Sequence, residues 1–204
     1  EYIRISKVGL VGDSYGALQS PLNINQSDGA TLRHVQISGN NLLDSFACGG
    51  LLIENSSATL ENFDINNNQS TAVLAMNSSD ARLNRFIIRN NQIEGSFFGA
   101  WLMSFDNSTS IMNNFTITEN TMMGVDYGMG FAIFLGIDNE SGDSPTMNNS
   151  IIWNNDCNSF LGLLSSTSMT INYSDVSLSF ENESSLGQSN INANPMFANP
   201  SDQD

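Results

Sequence analysis

Short runs of apolar residues recur along the chain in a fixed arrangement that ends in asparagine. Three apolar residues precede the Asn. The second apolar residue lies three positions after the first, the third lies two positions after the second, and the Asn lies three positions after the third. It occurs five times, beginning at Leu32, Leu60, Leu83, Met112 and Met147. The last of these copies has Ser150 at the middle apolar position, and a sixth copy from Ile171 lacks the Asn. Because the copies begin 23 to 35 residues apart, they are typical of solenoid coils.

Each repeat is predicted to contain several short β-strands. Side chains of a strand alternate between its two faces, so residues two apart, such as Phe63 and Ile65, share a face. The step of three from Leu60 to Phe63 breaks this alternation and predicts a bend, which the polar Asn62 can occupy. A second apolar strand precedes the later copies, as at 51–53. Helix is not expected, because Asn, Gly and Ser are frequent between these strands.

Stacked repeats place equivalent residues about 4.8 Å apart, which is the distance between hydrogen-bonded strands. Three internal columns are predicted from this stacking. They contain Leu32, Leu60, Leu83, Met112, Met147 and Ile171; Val35, Phe63, Phe86 and Phe115; and Ile37, Ile65, Ile88, Ile117, Ile152 and Val176. Parallel crossovers are nearly always right-handed. The sequence therefore predicts an all-β fold, a single-stranded right-handed parallel β-helix of about seven coils. Residues 1–204 are expected to form one domain, as a fragment of a longer surface protein.

The recurring asparagines form a fourth column, which contains Asn40, Asn68, Asn91, Asn120 and Asn155. Burial of an amide is costly unless the amide is hydrogen-bonded. Asn accepts tight-turn backbone angles and can bond to the Asn of the next coil. A structural Asn ladder is therefore predicted, and a binding role for the column is the alternative.

Charge limits the partners of this chain. Only six Lys and Arg residues face twenty-one Asp and Glu residues, the net charge is −15, and no Lys or Arg follows Arg89. Nucleic acids and anionic membranes are therefore not expected partners, and an anionic polysaccharide would be repelled unless divalent cations bridged the two. No apolar run approaches the ~20 residues that span a bilayer, so direct membrane insertion is not expected. Cys48 and Cys157 are predicted to be free thiols, about 19 Å apart on separate coils.

Two segments resemble known families of surface β-helices. The segment 48–53 (CGGLLI), with Phe63 and Asn66 downstream, resembles the Gly-Gly-apolar-Ile and Phe-x-x-Asn repeats of polymorphic outer membrane proteins. The segment 8–13 (VGLVGD) resembles the first coil of pectin-lyase-like proteins. The resemblance covers nearly the whole chain and implies a secreted β-helix at the cell surface. It indicates the fold better than the function, since pectin-lyase-like coils host lyases, hydrolases, epimerases, adhesins and ice binders.

The chain departs from the enzymes of that fold. It lacks the Asn-x-Asp, Asp-Asp, Gly-His-Gly and Arg-x-Lys signatures of the polygalacturonase-like hydrolases, and its acidic second half lacks the basic residue that the lyases need. His34 is the only histidine, so neither a His-based metal cluster nor a Ser/His/Asp triad can be assembled. His34 is interpreted as a surface turn residue.

Asp106 and Asp138 are the strongest candidates for catalysis or metal binding. Each of the two aspartates is followed by an Asn. If the second strands are aligned on this Asn, the two aspartates become outward neighbours on adjacent coils, about 5 Å apart. That separation suits a retaining glycosidase pair or a calcium site. The alternative is a solvated strand end at which Asp and Asn begin a turn. Apart from this possible calcium ion, no cofactor is predicted.

Trp101, Asp126 and Tyr127 flank the loop before the second strand, which is the most variable insertion. They are candidate ligand-binding residues, because exposed aromatic rings there could stack on sugars. The alternative is that the aromatic residues cover the core under a long loop.

The predicted function is that of a non-catalytic extracellular module for cell-surface adhesion, spacing or glycan contact. The alternative is a carbohydrate-active enzyme, a polysaccharide hydrolase or lyase, that uses Asp106 and Asp138. Expected partners are glycans or other surface proteins. End-to-end self-association is a further expectation, because an uncovered coil end is an open strand edge.

Overall fold

The computed structural model describes residues 3–6, 20–42, 48–95, 100–124, 131–137, 145–156, 159–161, 169–177 and 187–196. The regular elements within these ranges are all β-strands. No helix in the described ranges is long and apolar enough to cross a membrane. The segment 8–13, which resembles a first coil, lies outside them.

The strands form three parallel sheets that run along the coil. The ten-stranded sheet contains β1 (Ile3–Ser6), β3 (Asp28–Ser38), β5 (Ser57–Asn66), β8 (Asp80–Arg89), β11 (Thr109–Asn113), β12 (Thr116–Thr118), β15 (Thr146–Asn148), β16 (Ile151–Trp153), β18 (Thr170–Asn172) and β19 (Asp175–Val176). The six-stranded sheet contains β2 (Leu22–Asn25), β4 (Cys48–Glu54), β7 (Ala72–Asn77), β10 (Ala100–Asp106), β14 (Phe131–Ile137) and β17 (Ser159–Leu161). The three-stranded sheet contains β6 (Gln69–Ser70), β9 (Gln92–Gly95) and β13 (Thr121–Gly124).

Seven strands follow one another along the ten-stranded sheet in the order β1, β3, β5, β8, β11, β15 and β18. Each of these strands belongs to a successive turn of the chain, and each adjacent pair is parallel. The predicted parallel β-helix of about seven coils is therefore confirmed.

Each complete coil turns at residues with left-handed backbone angles. In the third coil these residues are Asn55, Asn62 and Asn67, with φ of 48°, 59° and 54°. Asn tolerates this conformation better than most residues do. Asn62 bends β5 in its middle, as the step of three residues predicted. His34 takes the equivalent position one coil earlier, with φ of 56°.

The three predicted columns form part of the described core, which also includes side chains of the six-stranded sheet such as Leu51 and Leu74. Strand register pairs Leu60 with Leu83 and Phe63 with Phe86. The rings of Phe63 and Phe86 are parallel within 1°, with their centroids 4.7 Å apart, and Phe115 continues the stack 4.8 Å beyond Phe86. Because these rings are at most 1% exposed, each stabilises the fold by roughly 1.5–3 kcal/mol through burial.

Ser150 ends the phenylalanine stack. Its Oγ accepts the backbone N–H of Phe115 at 3.1 Å, and its own N–H donates to the hydroxyl of Ser174 at 3.1 Å. Hydroxyl bonds to the backbone thus replace ring stacking in the last coils.

Candidate functional site

The predicted Asn ladder is present and contains Asn40, Asn68, Asn91, Asn120 and Asn155. At each step, Nδ2 of one Asn donates to Oδ1 of the next at 2.8–3.0 Å. The backbone N–H of the same residue donates to the same oxygen at 3.1 Å. Nδ2 of Asn91 also donates to the carbonyl of Ile65 at 3.0 Å. Because these bonds satisfy the buried amides, the ladder is a structural feature.

The strand register corrects the predicted pairing of Asp106 with Asp138. Asp106 ends β10 and pairs with Ile137 of β14. The predicted alignment of the second strands was one residue out, because it matched the strands by residue type, whereas backbone conformation fixes the register. The left-handed residue after β7 is Ser78, whereas after β10 it is Asn107. Asp138 lies outside the described residues, so the catalytic and calcium-binding roles of the two aspartates stay predictions.

The candidate loop residues are only partly described. Trp101 is half-buried near the start of β10, where it pairs with Ala132 of β14. Asp126 and Tyr127 lie outside the described residues. Trp101 and Asp106 stand near opposite ends of β10, so they do not form one site with each other. The ligand-binding roles of Trp101, Asp126 and Tyr127 stay predictions.

A shallow groove of about 510 Å³ follows the bend of the ten-stranded sheet. One residue from each of four successive coils lines it at the bend. These residues form the bend column: His34, Asn62, Arg85 and Asn114. Each has a positive φ between 56° and 59°, so the chain turns the same corner in every coil. Nδ2 of Asn62 lies 3.5 Å from Nδ1 of His34.

A second column lines the groove beside the bend residues. It contains Gln36, Asp64, Ile87 and Thr116, which the strand register stacks directly on one another. Ile87 is 41% exposed. The groove thus combines amide, hydroxyl and aliphatic groups along the coil axis.

Charged side chains in the groove and beside it pair with one another. Nη2 of Arg89 lies 3.2 Å from Oδ2 of Asp64. Glu61 contacts Arg33 at 3.2 Å and Arg85 at 3.4 Å. The arginine side chains are 41–61% exposed, and exposed pairs of this kind contribute about 0–1 kcal/mol to stability. Three arginines share these two carboxylates, so their charges are partly offset and each of the three has a carboxylate partner.

A second groove of about 530 Å³ lies on the same sheet, and its lining includes Thr59, Arg82 and Ile111. On β5, Glu61 stands between the residues of this groove and those at the bend. Two depressions therefore lie along the ten-stranded sheet, with Glu61 between them on β5.

His34 is a left-handed, half-buried residue at a turn, in agreement with its interpretation as a surface turn residue. The groove was not predicted, although the sequence contains a signal for it. The step of three residues recurs in each copy of the repeat, so the residue before Phe63, Phe86 or Phe115 marks the bend of its coil. Stacking those positions would have identified the bend column.

Cys48 is a buried free thiol, as predicted, and Cys157 lies outside the described residues. The Sγ atom of Cys48 lies 3.0 Å from the carbonyl oxygens of Leu51 and Val73. Burial raises the pKa of the Cys48 thiol to about 12, so the thiol is neutral and unreactive at ordinary pH. Across the described ranges, no three His, Cys, Asp or Glu residues lie close enough to hold a metal ion.

Comparison with known proteins identifies a family. The family model for the right-handed β-helix region matches residues 20–194. Neither the search of curated proteins nor the search of solved structures returned a match. The matched segment covers most of the chain and contains the stacked parallel strands described above, and it supports the predicted right-handed winding. The chain belongs to the right-handed β-helix family.

Proposed function

We propose that this chain is a non-catalytic, extracellular module that contacts glycans through the groove at the bend and acts in cell-surface adhesion or spacing. The observation that carries the proposal is the lining of the groove, where the amides of Gln36, Asn62 and Asn114 lie beside the side chains of Ile87 and Thr116. Convergent polar groups beside apolar surface are typical of sites for hydroxyl-rich ligands. The narrower likeness to pectin-lyase-like and polymorphic outer membrane proteins is part of the same proposal.

A carbohydrate-active enzyme is the second candidate. Glycoside hydrolysis uses two carboxyl groups that flank the scissile bond. Asp64 in the groove and Glu61 beside it both contact arginine side chains. Asp106, a member of the candidate catalytic pair, ends a strand of the six-stranded sheet instead. The geometry of the described residues therefore favours binding over hydrolysis.

Affinity electrophoresis through gels that contain neutral or anionic polysaccharides, with and without Ca²⁺, tests the proposal. The same mixtures are assayed for new reducing ends and for unsaturated products. The expected result is retardation without products. Product release that Asp106→Asn abolishes would establish the enzyme instead, and absence of retardation in every gel would overturn the glycan-contact proposal.

A matched pair of variants locates the binding site. Asn62→Gly removes an amide from the groove, and Asn55→Gly makes the same change at a corner outside it. Both positions have a positive φ, which glycine adopts without strain, so both variants should fold. Asn62→Gly should weaken retardation, whereas Asn55→Gly should leave it unchanged. Equal retardation of the two variants would remove the groove from the proposal.

A further inference from the structure

We infer that the ligand of the groove at the bend is an uncharged polysaccharide chain that lies along the coil axis. This inference rests on the proposed glycan contact and narrows it to one chemical class and one orientation. It is carried by the direction of the bend column, the distribution of charge along it, and two exposed apolar side chains.

The bend column extends beyond the groove toward the C-terminal coils. After Asn114 it continues through Asn149 to Tyr173, both with φ of 51°. Backbone hydrogen bonds from Asn114 to Asn148, and from Asn149 to Asn172, keep these coils in register. From His34 to Tyr173 the column makes five coil-to-coil steps, or about 24 Å at the spacing of paired strands. A site of this shape suits a linear polymer.

The distribution of charge disfavours a polyanion. An anionic polysaccharide repeats its charge along the chain, so a matching site would need unpaired cations on successive coils. Arg85 in the groove, and Arg33 and Arg89 beside it, all contact carboxylates within 3.4 Å, so none of them is an unpaired cation. Beyond them the bend column is neutral, and the protein as a whole carries a net charge of −15, which repels anions over about a Debye length of ~8–10 Å.

Two exposed apolar side chains complete the site. Ile87 is 41% exposed within the groove, and Tyr173 is 59% exposed at the far end of the bend column. Uncharged sugars present C–H faces that pack against aliphatic and aromatic side chains, while their hydroxyl groups bond to amides such as that of Asn62. The amides of the bend column, together with these two apolar side chains, therefore fit a neutral sugar chain.

Matched ligands test the charge preference. Neutral glucans, mannans, xylans and galactans are each compared by affinity electrophoresis with a carboxymethylated derivative of the same polymer, without divalent cations. At least one neutral polymer should retard the protein, with about tenfold weaker binding to its charged derivative. Tighter binding to the carboxymethylated polymer would overturn the inference and leave the proposed glycan contact intact. Absence of binding to every polymer would overturn both.

Matched variants test the location. Ile87→Thr keeps a β-branched side chain in the groove at the bend, and Tyr173→Asn keeps a residue that tolerates positive φ. Each should weaken binding about tenfold. Ile111→Thr is the control, because Ile111 is 43% exposed in the neighbouring groove. Circular dichroism should be unchanged in all three variants. Loss of binding in Ile111→Thr alone would assign the ligand to the other groove and contradict the inference.

Discussion

Asn91 illustrates how one side chain serves three coils. It is 1% exposed, and its Oδ1 accepts both the backbone N–H and the Nδ2 of Asn68, at 3.1 and 3.0 Å. Its own Nδ2 donates to Asn120 in the following coil and to Ile65 in the preceding one. No apolar residue of similar size can replace these bonds, because the donors of Asn68 would then stay buried without acceptors.

We predict that Asn91→Ala lowers the free energy of unfolding by roughly 3 kcal/mol or more, since each buried unsatisfied group costs about 1–3 kcal/mol. Denaturant unfolding measures the change. The control is Asn113→Ala, because Asn113 is only half-buried and accepts a single 3.3 Å bond from Asn148. Its loss should stay near 0.5 kcal/mol, the usual size of a surface effect. Equal losses in the two variants would contradict a structural role for the ladder.

The Cys48 thiol predicts a pH dependence of stability. Its pKa rises from 9.0 to about 12 on folding, so the unfolded chain loses this proton at lower pH than the folded chain does. The contribution of Cys48 is fully present below pH 9 and is lost as the pH rises toward 12. We expect the unfolding free energy of Cys48→Ala to fall less over this range than that of the native chain. Parallel pH profiles by chemical denaturation would contradict the burial of the thiol.

At the scale of elements, two glycines at the start of β4 let the six-stranded sheet approach the neighbouring coil closely. A Cβ on Gly50 would lie 2.4 Å from the carbonyl oxygen of Val73 and 2.8 Å from Cγ2 of Ile65. A Cβ on Gly49 would lie 2.4 Å from Oγ of Ser70. The Gly-Gly pair is therefore required by packing.

Substitutions of the two glycines should differ in whether a second substitution restores the stability of the fold. Gly49→Ala and Gly50→Ala should each destabilise the fold by about 1–3 kcal/mol, the usual cost of overpacking. Ser70→Gly should recover part of the loss in Gly49→Ala, because it removes the clashing side chain. It should not rescue Gly50→Ala, whose clash is with backbone. Thermal unfolding of the single and double variants measures this, and equal rescue of both would contradict the packing described.

At the scale of the whole molecule, the fold is a one-dimensional stack in which each coil pairs with the coils before and after it. The stability of such a solenoid is approximately a sum of coil and interface contributions. Because Leu60 and Leu83 are equivalent positions in adjacent coils, the chain can be shortened by one repeat without a change of register.

We predict that deletion of residues 60–82 leaves a folded β-helix. The deletion joins Thr59 directly to Leu83, so the first half of β5 continues into the second half of β8. Far-UV circular dichroism should stay β-rich, with a cooperative transition at a lower melting temperature. The control deletes only residues 60–70 and thereby removes one bend and one ladder Asn but not a whole coil. This control variant should not fold. If the variant with the shorter deletion were more stable than the variant with the longer one, the result would contradict the stacking of coils.

The sequence by itself determined the coil and its interior. Leu, Phe and Ile recur at fixed spacing, and each column needs a like partner about 4.8 Å away, so the repeat specifies both strand pairing and core. The buried asparagines could be assigned to a ladder because a buried amide needs a bonding partner. The bend at Asn62 followed from a break in the alternation of side chains.

Only the tertiary structure decided which surface residues become neighbours. Asp106 pairs with Ile137, and residue type does not reveal this register, since the left-handed residue is Ser78 after β7 and Asn107 after β10. A further ladder, in which the N–H of Ser56 donates to Oγ of Ser79 at 3.1 Å, was likewise not predicted. The ion pairs and exposed apolar groups of the bend groove lie on different coils, separated by insertions of variable length. Exposed residues do not have to be apolar at regular intervals, so the sequence holds no repeat that identifies them. Which of them are neighbours is known only once the coils are stacked.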